Sequence, residues 1–298
     1  MKIFQSVTLV LLLLGSAQAT AQQIVQAIRN GDIQQVEQML EDDPALMDSI
    51  DGQSNTPLHL AAYFNQVEMC ERFMEKGIDV NAPNRYERSA MVFAIAGNAL
   101  ESARKLIERG LDLNARDNTE RTPIHWVAIQ GRGEMATCLI EQGADLHARD
   151  YELRTPLHWA ALQGNTEVAG ILLEHGASIY SLDDQQKTPL HWAASSGDTV
   201  IVKSLIEKGA NVNVVDDHAR TPLFIASWEG HLDVVKMLID KGAVVDARYL
   251  GAASPLTTAA VADHEDVSRY LVSKGANVDL FCNMDVTPLY PAVYNNNL

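Results

Sequence analysis

Residues 154–163 read RTPLHWAALQ, and residues 187–196 read KTPLHWAASS: a cation, threonine, proline, leucine, histidine and tryptophan return 33 positions later. The spacing extends in both directions. Thr56, Ser89, Thr122, Thr155, Thr188, Thr221, Ser254 and Thr287 follow one another at intervals of 33, with no insertion or deletion. Gly77, Gly110, Gly143, Gly176, Gly209, Gly242 and Gly275 stand 21 residues after the first seven of these. Two registers sharing one period mean a tandem array of equal supersecondary units.

Each unit can be built from its residues. A threonine or serine hydroxyl suits a helix N-cap, and proline is tolerated at the first helical position, where its missing N–H is not needed. A helix therefore starts after each threonine. In residues 155–165, TPLHWAALQGN, it lasts about two turns, through the small Ala160 and Ala161, to a break at Gly164. A second helix follows, as in residues 231–242, HLDVVKMLIDKG. There Leu232, Val235, Leu238 and Ile239 form an apolar stripe at helical period, and Gly242 supplies a left-handed cap. The residues leading to the next threonine, such as ANVNVVDDHAR at 210–220, read as a short β-like finger. No such unit buries its own apolar face. Stacking against the next one does, which predicts an all-α repeat solenoid with contacts between neighbours.

Composition agrees with a folded protein, since 47% of the 298 residues are hydrophobic and 21% charged. The 23 basic residues stand against 39 acidic ones, a net charge of −16. That balance argues against nucleic acid, which needs a surplus of Lys and Arg on the binding face, and favours rapid encounter with a basic partner. Residues 1–21 differ from the rest. Lys2 precedes an apolar run from Val7 to Leu14, followed by the small-residue pattern Ala17-Gln18-Ala19. The run is too short to span a bilayer, so we read residues 1–21 as a cleaved secretory signal, cut after Ala19 or Ala21. Its brevity suggests a bacterial signal and a periplasmic destination, with extracellular release as the alternative.

The motif Thr-Pro-Leu-His at 56–59, 155–158 and 188–191, with Thr-Pro-Ile-His at 122–125, resembles the ankyrin-repeat family. Gly143-Ala144-Asp145 and Gly209-Ala210-Asn211-Val212-Asn213 carry the second half of that pattern. The resemblance covers residues 23 to 298. Residues 22–55 lack the signature and read as an N-terminal capping helix pair. Residues 56–286 then hold seven repeats, and residues 287–298, with Pro291 after Thr287-Pro288-Leu289-Tyr290, a partial terminal one. Ser89-Ala90-Met91-Val92 has neither proline nor histidine, so the second repeat starts its first helix less well.

Few residues suggest chemistry. His59, His125, His158 and His191 recur, but at a repeat spacing of about 10 Å they cannot share a metal held at roughly 2 Å. The resemblance implies that each imidazole bonds to its threonine and to neighbouring backbone. It likewise implies that Asp117, Asp150, Asp183 and Asp216 tie adjacent fingers together. Cys70, Cys138 and Cys282 are too few for a disulfide framework, and the first two fall two repeats apart. Nucleophile–base pairs, phosphate loops and zinc-protease motifs are not found in the sequence. We expect no catalysis, no cofactor and no metal.

The remaining pattern is a double ladder. Arg88, Arg121, Arg154, Lys187 and Arg220 precede the threonines, and Trp126, Trp159 and Trp192 stand four after them. Tyr63, Phe64 and Trp228 fall nearby on first helices. Tryptophan and arginine are enriched at interface hot spots. The expected function is capture of a partner protein through a concave groove and finger tips. Candidate contacts are Tyr63, Phe64, Arg121, Trp126, Arg154, Trp159, Lys187, Trp192, Arg220 and Trp228. Two more specific readings are an inhibitor of a toxic enzyme and a factor in periplasmic oxidative-stress defence.

Overall fold

The computed structural model describes residues 15–248 and 253–280, side chains of 15–20 excepted. The signal's apolar run, Cys282 and the terminal segment 287–298 lie outside the described residues. The chain divides into two compact units, one of residues up to 126 with 137–145, the other of 127–136 with 146 onward.

The described residues open with a helix pair, α1 (Gly15–Asn30) and α2 (Ile33–Asp42), and a short 3-10 turn at Pro44–Met47. First and second helices then alternate. In the first unit these are α3 (Pro57–Tyr63), α4 (Val67–Glu75), α5 (Ala90–Gly97) and α6 (Leu100–Glu108). Helices α7 (Pro123–Gln130) and α8 (Gly133–Glu141) contribute residues to both units. The second unit continues with α9 (Pro156–Gln163), α10 (Thr166–Glu174), α11 (Pro189–Ser196) and α12 (Thr199–Glu207). Its described residues go on to α13 (Pro222–Glu229), α14 (Leu232–Asp240), α15 (Pro255–Val261) and α16 (Glu265–Ser273). Within each unit first helices pack on first helices and second on second, α3 on α5 and α4 on α6, α9 on α11 and α10 on α12.

The two kinds of helix are buried differently. Every residue of α9 from Pro156 to Ala161 is buried, because a first helix has neighbours on all sides. Helix α10 buries only the stripe Val168, Ala169, Leu172 and Leu173. Each fully buried aliphatic side chain contributes roughly 1.5–3 kcal/mol. Close approach matters as much as apolar character. A Cβ at Gly97 would lie 1.9 Å from the Tyr63 carbonyl oxygen, so α3 and α5 meet where only hydrogen fits.

Helix starts differ from the simplest sequence reading. In the repeats with histidine, the imidazole Nδ1 accepts the threonine's own backbone N–H, at 3.1 Å for Thr56–His59 and 3.0 Å for Thr155–His158 and Thr188–His191. The hydroxyl lies 2.8–3.0 Å from the same nitrogen. An Nδ1 that accepts leaves the proton on Nε2. His59, His158 and His191 donate it to the carbonyls of Arg88, Lys187 and Arg220 in the following repeat, at 3.0, 3.1 and 3.1 Å. Thr221 and Ser254, whose repeats lack the histidine, keep a hydroxyl cap: Thr221 Oγ1 accepts from the Phe224 N–H and Ser254 Oγ from the Thr257 N–H, each at 3.2 Å. Ser89, without proline or histidine, has no capping box, and the helix Ala90–Gly97 still forms after it.

The fingers consist of turns, with no strand element among the described residues. Neighbours are joined by single backbone bonds, such as Asn118 N–H to the Tyr86 carbonyl at 3.0 Å and Asp184 N–H to the Glu152 carbonyl at 3.0 Å. Two residues before each threonine, Ser54, Glu87, Glu120, Leu153, Gln186 and Ala219 all adopt φ of 56–62°. This left-handed position repeats every 33 residues without a glycine, so no glycine pattern reveals it in the sequence.

Candidate functional site

The geometry begins with the buried carboxylates. Asp117, Asp150, Asp183 and Asp216 are 3–4% exposed. Each Oδ1 accepts two backbone N–H groups of its own finger, for Asp150 those of Glu152 at 3.0 Å and Arg154 at 2.9 Å. These backbone bonds lie within each aspartate's own finger, and the tie between fingers that the resemblance implied is seen at Asp117, whose Oδ2 lies 3.6 Å from Arg88 Nε of the preceding repeat. Oδ2 serves the helix. It accepts the indole N–H of Trp126 at 3.0 Å, of Trp159 at 2.8 Å and of Trp192 at 2.9 Å. The same ladder continues upstream through Asn84 and Asp51, whose Oδ1 atoms accept two backbone N–H groups each. Counting back by 33 from Asp117 finds both.

Cations complete the assembly. In the first unit Arg88 lies 4.6 Å from the Trp126 ring centroid, with its Nε 3.6 Å from Asp117 Oδ2, and Arg121 stacks on the same ring at 5.6 Å. In the second unit Arg154 lies between two indoles, 5.0 Å from Trp159 and 4.7 Å from Trp192. Lys187 Nζ stands 4.4 Å above Trp192. Such contacts contribute roughly 0.5–2 kcal/mol each, more where water is excluded. They also leave Asp117, Asp183 and Asp216 near a positive charge.

The ten sequence candidates therefore divide by exposure. Trp126 and Trp159 are 4% and 8% exposed and Arg154 9%, so these three pack the interior of the face. The Asp–indole bond is common to Trp126, Trp159 and Trp192, so what separates the first two from the third is the cover given by the following repeat. Trp192, Lys187, Arg121, Arg220 and Phe64 are half-buried, while Tyr63 and Trp228 are exposed. Tyr63 packs edge-on against Phe64 at 5.0 Å, with Arg29 5.8 Å from Phe64. Arg220 departs from its counterparts. Residue 225, where the next tryptophan would stand, is isoleucine, and Arg220 Nε itself donates to Asp216 Oδ2 at 2.7 Å. A cavity of about 340 Å³ opens there, walled by Lys187, Trp192, Arg220, Ile225 and Trp228.

Sequence reasoning missed the apolar finger tips of the second unit. Tyr151 is 80% and Tyr180 65% exposed, with Leu153, Leu182 and Val215 also on the surface. Their signal was aromatic and aliphatic residues inside otherwise polar turns. Asp216, Asp217 and His218 gather ligand atoms within 4.8 Å. The Asp216 oxygens, however, already accept from the His218 and Arg220 backbone and from the Arg220 side chain. Cys70 and Cys138 are buried free thiols. Burial pushes the Cys70 thiol up to about 12. Among the described residues no helix is long and apolar enough to cross a membrane.

Helix pairs stacked at a 33-residue period, with a first-helix and finger face ordered by buried Asp–Trp bonds, define an all-α tandem-repeat protein of the interaction-module class. Ankyrin-repeat models match residues 24–117, 112–183 and 179–249, and a single-repeat model matches 253–283. The chain belongs to the ankyrin-repeat family. Ankyrin repeats are generic protein–protein interaction modules, typically non-catalytic. A probable E3 ubiquitin-protein ligase, XBOS33, of Oryza sativa subsp. japonica is 36% identical over 77 residues, 26% of this chain and 15% of that protein. That likeness covers little more than two repeats, far less than the whole relative.

Proposed function

We propose that this chain is an exported, non-catalytic module that captures a partner protein on the first-helix face and finger tips of its repeats. The observation that carries the reading is the end of the cation–aromatic ladder in the second unit, where half-buried Lys187, Trp192 and Arg220 and exposed Trp228 wall one cavity; the fingers of the same unit expose Tyr151 and Tyr180. Aromatic and arginine side chains held rigidly beside a cavity are the usual anchors of interfaces. Tyr63 and Phe64 offer a second such patch in the first unit. Trp126, Trp159 and Arg154 act beneath the face, holding finger and helix in register. The net charge of −16 favours encounter with a basic partner. Export rests on the amino-terminal run and the small residues at Ala19 and Ala21, with the periplasm as destination.

The test is capture from periplasmic extract by the tagged mature chain and by a Tyr151→Ser, Tyr180→Ser, Trp228→Ser variant. All three side chains are exposed, so folding should be preserved, read as an unchanged thermal midpoint. A stoichiometric partner lost by the variant supports the reading, and salt-resistant capture selects the inhibitor form of it. Equal capture by both proteins refutes it. Edman sequencing of the exported chain, beginning at Thr20 or Gln22, checks the signal; an uncleaved Met1 refutes that part.

A further inference from the structure

The cavity at Ile225 is a gap in a regular series. In the second unit, cation and ring alternate: Trp159, Arg154, Trp192, Lys187. Arg154 has an indole on each side, one from its own repeat and one from the next. Lys187 has Trp192 on one side, and the 33-residue period puts the partner ring for its other side at position 225. Isoleucine there is too short to reach across. Arg220 has meanwhile turned onto Asp216, taking the carboxylate oxygen that an indole would have used. The series is thus interrupted at one rung, and the cavity of about 340 Å³ occupies the place of the missing ring. Its size falls within the range of small-ligand and side-chain pockets.

The charges decide what kind of ring fits. Lys187 makes no ion pair among the described residues, although Arg220 and Arg154 both bear on it. Burial and the Arg220 charge push its pKa below that of an ordinary lysine, with Asp183 and Asp216 opposing. A positive ligand between Trp192 and Trp228 would meet Lys187 and Arg220, so an aromatic cage for a cation is disfavoured. Glu229, also in the lining, has no ion pair with either cation. The local carboxylates are already engaged, Asp183 by the Trp192 indole and Asp216 by Arg220, and the distant acidic charge is screened over about 8–10 Å, which leaves the Lys187 ammonium as the group a ligand carboxylate would meet first. Resting on the capture reading above, we propose that this cavity receives an aromatic side chain of the partner with a carboxylate beside it. The ring completes the ladder against Lys187, and the carboxylate pairs with Lys187 and Arg220.

The probe is N-acetyl-L-tryptophan, compared with N-acetyl-L-tryptophanamide and tryptamine, on the full chain labelled with 15N at the indoles. Expected are shifts of the Trp192 and Trp228 indole signals at millimolar probe, with Trp126 unmoved. The carboxylate form should bind about tenfold more tightly than the amide, as a partly desolvated ion pair requires, and tryptamine should not bind. Ile225→Trp supplies the missing ring from within and should abolish probe binding without lowering the thermal midpoint. Lys187→Met provides a second route should that variant fold poorly: the roughly tenfold carboxylate preference should fall severalfold, with Arg220 alone remaining to pair. Equal binding of all three probes, motionless Trp192 and Trp228 signals, or undiminished binding by folded Ile225→Trp overturns the proposal. Partner capture that survives Ile225→Trp overturns the cavity while sparing the capture reading. Probe binding in a chain that captures no protein does the reverse.

Discussion

Acidifying the protein from about pH 8 to about pH 5 should remove about 2 kcal/mol of stability for each of three imidazoles, His59, His158 and His191. All are buried, with Nδ1 bonded to a threonine and Nε2–H donated to the next repeat. Burial pushes each from 6.5 down to about 4, although the carbonyl that accepts Nε2–H favours the charged form. The unfolded chain takes up its protons near 6.5 and the folded chain only near 4. Unfolding therefore binds protons between those values, and stability falls as pH falls through that window. Above the unfolded value neither state is charged and the full stability remains; below the folded value both are charged and the loss levels off. At pH 5 the unfolded imidazole is roughly 1.5 units below its pKa, which at about 1.36 kcal/mol per unit gives the figure stated. Urea unfolding followed by circular dichroism across this range measures the loss, and 15N NMR of the native imidazoles reads their tautomer directly. His191→Gln should weaken the pH dependence by about one proton. Native imidazoles that titrate near 6.5, or identical urea midpoints at the two pH values, would refute the reasoning.

Four further outcomes follow from single contacts. Gly97→Ala puts a methyl 1.9 Å from the Tyr63 carbonyl oxygen and should destabilise by more than about 2 kcal/mol in urea unfolding. Leu153→Asn, at φ 58° and largely exposed, should raise stability by about 0.5–1 kcal/mol, since asparagine tolerates the left-handed region; a lowered thermal midpoint would count against that. Trp159→Phe keeps a ring but leaves Asp150 Oδ2 without its indole donor, so about 1–3 kcal/mol should be lost, whereas Trp228→Phe should stay within about 0.5 kcal/mol. Cys70, fully buried and held as a thiol, should resist iodoacetamide in the native protein and react once urea unfolds it.

How far the sequence reached can be read at particular residues. The 33-residue period and the helix starts after Thr56 through Ser254 were legible because they depend on local chemistry: caps, proline, glycine and apolar stripe act within one or two turns. The inter-repeat role of the histidines came only with the family resemblance, and their tautomer needed the distances to Thr and to the next repeat's carbonyl. The left-handed residues at Glu120 and Leu153 were invisible, since no glycine marks them.

The sequence by itself determined that this protein is a stack of equal helix pairs, with a cation and an aromatic ring at fixed places in each repeat. Only the tertiary structure decided which of those rings face outward. Trp126 and Trp159 share their repeat position with Trp192, yet they are buried and it is half exposed. Exposure depends on what the neighbouring repeat supplies, and that is a relation between residues 33 apart. Arg154 is enclosed because Trp192 follows it, and Lys187 borders a cavity because Ile225 follows it. A period found in one dimension fixes the positions of the rungs; the side chains packed across them fix where one is missing.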